Sequence, residues 1–150
     1  MTKNLLDNPF FLFSFCILAI LLNTIFSTYF MLVTFSGVLF LMFYVSLKNR
    51  YYYSLFFVML TFTIIEYNLG LKLFTLNVIS LFLYVFVIPF VNRINAFSKF
   101  NKYVNIVVFY GLLHLIWSYQ TEFTESLFFS ILANLVIDIF LIGVLIWQIG

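Results

Sequence analysis

From residue 9 to residue 47 the chain carries no Asp, Glu, Lys, Arg or His, and most of the run is aliphatic or aromatic. A helix needs about 20 apolar residues to cross the hydrocarbon core of a bilayer, within a range of roughly 17 to 25. The run is too long for one crossing and just long enough for two. The rest of the chain has the same character, with 65% hydrophobic residues, 8% charged residues and a mean hydropathy of +1.18. An average soluble domain has about 25% charged residues. A chain of 150 residues leaves much of its surface outside whatever core it forms, so here the exposed part must face lipid. These features exclude a soluble fold and predict one all-α membrane domain over 1–150.

Applied along the whole chain, the same ruler predicts a six-helix bundle with spans near 9–27, 29–47, 51–66, 71–91, 103–119 and 126–148. A turn near 23–28 divides the first run. Lys48, Asn49 and Arg50 make the next break, and Glu66, Tyr67, Asn68, Leu69 and Gly70 make the third. Residues 92–102 form the most polar loop, and an acidic connector carries Glu122 and Glu125. Short loops rich in Lys and Arg stay on the cytoplasmic side. With the amino terminus inside, Lys3, Lys48, Arg50, Arg93, Lys99 and Lys102 are inside, and only Lys72, able to snorkel to the interface, is outside. Treating the first run as one crossing would separate Lys3 from Lys48 and Arg50, so charge parity favours two crossings and both termini inside. The amino terminus imitates a secretory signal, but the apolar run outlasts a signal core and no small-x-small site closes it. It is expected to stay as a helix.

Several functions lack their residues. The net charge of +2 and the absence of a basic block with interleaved aromatics speak against nucleic acid. Cys16 is the single cysteine, without a second thiol to pair with or to share a metal, and reads as apolar filler. The 23 Phe and few Ala reflect base composition as much as physics. The sequence has one His, no HExxH or Cys-His cluster, no Gly-x-Ser-x-Gly elbow and no phosphate-cradling glycine loop, which predicts neither enzyme nor cofactor nor metal. No two of Gly37, Gly70, Gly111, Gly143 and Gly150 make a GxxxG pair.

Ionisable groups inside spans are costly and are therefore functional candidates. His114 in the fifth span and Asp138 in the sixth lie deepest. Ser126, Ser130, Asn134 and Asp138 recur every four residues and so share one helix face, as do Tyr110, His114 and Ser118. A direct His114–Asp138 pair needs a vertical offset between the helices. The stripe serves either as a proton or solute path or as interhelical hydrogen bonding, worth about 0.6 kcal/mol per bond. Ion transporters usually present several deep carboxylates or unwound Gly-Pro segments. One deep carboxylate and two prolines, Pro9 and Pro89, favour packing.

The run Glu66-Tyr67-Asn68-Leu69-Gly70-Leu71-Lys72, followed by a long span and Asn92-Arg93, resembles the rod shape-determining protein MreD family. In that family a span ends in an acidic residue, a turn with a Leu-Gly step follows, and basic residues close the next span. Two departures are Glu66, where Asp is commoner, and the lack of a Pro-Asp step near 29–33. The resemblance implies a non-enzymatic scaffold in the bacterial inner membrane, working in rod-shaped cell-wall elongation. It implies MreC, the glycosyltransferase RodA and a class B penicillin-binding transpeptidase as partners, and MreB filaments indirectly, with Glu66 and Gly70 shaping an outer turn. MreD is similar in fold to the S-components of vitamin transporters. That likeness gives the alternative of a small-molecule or ion transporter subunit using His114, Asn134 and Asp138, although the Ala-x-x-x-Ala motif of S-components is replaced here by Ala19 to Asn23.

Overall fold

In lipid every backbone N–H and C=O must be satisfied within the protein, and a helix does this within its own segment. The computed structural model describes residues 8–27, 34–94, 98–120 and 125–147, and all regular structure among them is helical. Six helices follow in order: α1 (Pro9–Ser27), α2 (Ser36–Lys48), α3 (Tyr52–Leu69), α4 (Thr75–Ile94), α5 (Ser98–Gln120) and α6 (Glu125–Trp147). The expected places of Lys3 and Glu122 lie outside the described residues, whereas the turn expected near 23–28 is not found: α1 stays helical through Ser27, because the apolar run holds nothing that breaks a helix there.

Local chemistry sets the helix ends. Asn8 starts α1 by accepting the Phe10 amide on its side chain at 3.1 Å. Pro9 takes the first helical position, where its missing N–H costs nothing. Between α2 and α3 the chain turns in three residues, with Arg50 at φ 58 and the Tyr51 amide returned to the Ser46 carbonyl at 2.9 Å. Gly70, at φ 69, ends α3 in the same way: its amide meets the Tyr67 carbonyl and that of Leu71 meets the Glu66 carbonyl. Over Leu83–Val87, α4 widens into a π-turn just before Pro89. Proline lacks an N–H and its ring presses on the carbonyl four residues earlier, here that of Val85, which the wider turn accommodates.

Helix α2 is the hub of the bundle, touching α3, α4, α5 and α6, while α1 packs mainly on α3. Every residue from Ser36 to Phe43 is buried. Phe40 stacks on Phe109 of α5 at 5.1 Å, and Phe43 meets Phe62 of α3 at 6.4 Å. The outside is apolar as well: Phe10, Leu21, Phe56, Phe86, Phe129 and Phe140 are all more than half exposed. Such a surface suits hydrocarbon and is rare on soluble monomers.

Helices α1, α3, α4 and α6 are long and apolar enough to cross a membrane. At 13 residues α2 is about 20 Å long, against roughly 30 Å of hydrocarbon. Helix α5 has the length, but Asn101, Lys102, Asn105, His114, Ser118 and Gln120 lower its hydropathy. The helix expected over 29–47 starts at Ser36, and the one expected to end at 66 continues to Leu69. The first difference arises where hydropathy is uniform and gives no boundary, and the second because Glu66 turns inward and Gly70, not Glu66, ends the helix.

Candidate functional site

The first amides of a helix have no partner within it, and burying them bare costs as much as a lost hydrogen bond. Helix α2 opens inside the bundle, where Phe35, at φ 48, precedes it without offering a side-chain cap. The acceptors come from α6, about a hundred residues away. Asp138 Oδ2 accepts the Gly37 amide at 2.7 Å, and Asn134 Oδ1 accepts the Thr34 amide at 2.9 Å. Asn134 also donates from Nδ2 to the Ser130 carbonyl at 2.9 Å. The Tyr110 hydroxyl of α5 donates to the same Asp138 oxygen, so three helices converge on one atom. A carboxylate is favoured there because a helix amino terminus carries partial positive charge.

Gly37 is required by space. A Cβ on it would lie 2.8 Å from Asp138 Oδ2, 3.0 Å from Ile106 Cγ2 and 3.1 Å from Tyr110 Cε2. Asp138 is 1% exposed and thirteen residues into α6, about 20 Å from Glu125, which puts the start of α2 near the middle of that helix.

A second carboxylate does the same for α4. Phe74, at φ 68, precedes that helix without a capping side chain. Glu66 Oε2 accepts the Phe74 amide at 2.6 Å and Oε1 accepts the Leu76 amide at 2.5 Å. Gln120 at the end of α5 secures the same corner, accepting the Lys72 amide at 3.1 Å. The two corners share a left-handed Phe, a following Ser36 or Thr75, and a carboxylate on the second amide of the helix.

Asn134 and Asp138 therefore act together with Tyr110, while His114 stands apart from Asp138. One turn beyond Tyr110, the half-buried His114 ring sits edge-on to Phe128 at 5.6 Å. Glu66, read from sequence as part of a loop, is wholly buried, and Gly70 closes the helix that carries it. Sequence reasoning missed the main-chain partners at Thr34, Gly37, Phe74 and Leu76. No signal in the sequence marks them, since Ser36 and Thr75 stand where a capping side chain is expected and only the fold places Phe35 and Phe74 at the cap positions. Among the described residues no three His, Cys, Asp or Glu come together to hold a metal, and Cys16 is a buried free thiol. No family model, no curated protein and no solved structure matches this chain.

Proposed function

We propose that the chain is a non-enzymatic scaffold subunit of the bacterial inner membrane, acting in the rod-shape cell-wall elongation machinery as MreD does. One observation carries the scaffold reading. Both buried carboxylates and Asn134 are committed to main-chain amides of the chain's own helices, which leaves the apolar outer face as the working surface. The MreD assignment is supported by the run from Glu66 to Lys72. Its acidic residue and its glycine are the two that fix the α3–α4 corner.

In this reading the four long apolar helices are joined by α2 and α5 to make six crossings, with Lys48, Arg50, Arg93 and Lys102 on the cytoplasmic side. Helix α2 tolerates its short length because protein, not lipid, surrounds it. Exposed faces of α1 and α6 dock the helices of MreC, RodA or a class B penicillin-binding transpeptidase. Affinity purification of the tagged full chain from native membranes tests the assignment: it predicts recovery of at least one of these subunits, and recovery of none contradicts it.

One observation favours the transport alternative: Asp138 Oδ1 is buried and accepts no hydrogen bond among the described residues. A proton or ion pathway through Asp138 predicts that Asp138→Asn abolishes uptake while the protein stays folded. Unchanged uptake with lowered stability assigns Asp138 to capping alone.

A further inference from the structure

The π-turn of α4 leaves a groove of about 500 Å³ beside the last turns of α2. Tyr44 and Lys48 line it from α2, and Tyr84, Val85, Ile88, Pro89 and Asn92 line it from α4. The two sets run in one direction: Tyr44 and Lys48 are four apart, as are Tyr84, Ile88 and Asn92, so each set forms one stripe along its helix. The groove therefore grades from aromatic, through aliphatic, to an exposed ammonium and amide. The Tyr44 and Tyr84 rings meet at 5.9 Å, and Lys48 Nζ lies 5.9 Å from the Tyr44 ring. None of the lining residues is acidic. Arg50, two residues past α2, and Arg93, in the last turn of α4, add positive charge at the polar end.

We infer that this groove seats an anionic phospholipid, with its phosphate at Lys48 and Asn92 and an acyl chain along Tyr84, Ile88 and Pro89. The gradient fits an amphiphile, and the charge selects an acidic headgroup over a zwitterionic one. Basic pockets between membrane helices bind anionic headgroups for the same reason, each nearby Lys or Arg contributing severalfold in affinity.

The test uses the purified full chain in neutral detergent, offered equal amounts of phosphatidylglycerol and phosphatidylcholine with identical acyl chains and examined by native mass spectrometry. Phosphatidylglycerol is retained preferentially, and Lys48→Gln lowers its retention about fivefold. Val85→Trp, which fills the groove without changing charge, lowers it as well, whereas Lys72→Gln on the α3–α4 connection does not. Circular dichroism verifies the fold of each variant. Equal retention of the two lipids, or full retention in both Lys48→Gln and Val85→Trp, overturns the inference. Displacement of the lipid by equimolar free glycerol phosphate also overturns it, because the headgroup alone would then account for binding.

Discussion

Replacing Gly37 by Ala separates the packing described above from simple helix propensity, because the two predict opposite signs. In an ordinary helix interior Ala is more favourable than Gly by about 1 kcal/mol. At Gly37 the added Cβ meets Asp138 Oδ2 at 2.8 Å, with Ile106 and Tyr110 at 3.0 and 3.1 Å. Asp138 cannot retreat without releasing the Gly37 amide and the Tyr110 hydroxyl that it accepts. Overpacking a tight core costs about 1–3 kcal/mol. Weakening a hydrogen bond to a charged group costs about 1.5–3 kcal/mol. After subtracting the propensity gain, Gly37→Ala destabilises by about 1.5–5 kcal/mol. Reversible unfolding in mixed micelles, followed by circular dichroism, measures the difference. Gly111→Ala is the internal control, since nothing lies within 4 Å of its would-be Cβ, and it should be neutral or up to about 1 kcal/mol more stable. A Gly37→Ala protein as stable as its parent refutes the account of how α2 begins.

The α3–α4 corner gives two more predictions. Glu66→Ala strands the Phe74 and Leu76 amides and costs about 2–4 kcal/mol in the same unfolding assay, with Glu66→Gln intermediate because it keeps one carbonyl oxygen. Wild-type stability in Glu66→Ala removes the capping role. Gly70→Ala costs about 1 kcal/mol through backbone strain alone, since φ is 69° and the space around it is open. A Gly70→Asn variant, whose side chain tolerates that conformation, should recover part of the loss, and an Asn no better than Ala counts against strain as the cause.

Much of the bundle is legible in the sequence, because length and hydropathy act residue by residue. The break at Lys48–Arg50 coincides with the turn at left-handed Arg50, whereas of the break expected over Glu66–Gly70 only Gly70 lies beyond α3. The four-residue spacing placed Asn134 and Asp138 on one face, and both turn toward the start of α2. The same spacing grouped His114 with Tyr110, yet packing sends the two side chains to different neighbours. What stayed hidden was the target of each carboxylate. Main-chain amides carry no sequence signature, and the Gly37–Asp138 contact joins residues 101 positions apart. Polarity assigned Glu66 to a loop, and only the fold reveals it turned inward to hold the next helix. The start of α2 was misplaced for a similar reason: hydropathy is uniform through the run, so nothing local distinguishes Ser36 as the first helical residue.

The proposed role is tested most directly by depleting the protein in the cell it comes from and measuring cell width and length by microscopy as the level falls. The scaffold account predicts progressive widening and rounding, reversed by re-expressing the wild-type chain. Cells that keep their rod dimensions after the protein has disappeared from the membrane fraction would contradict it.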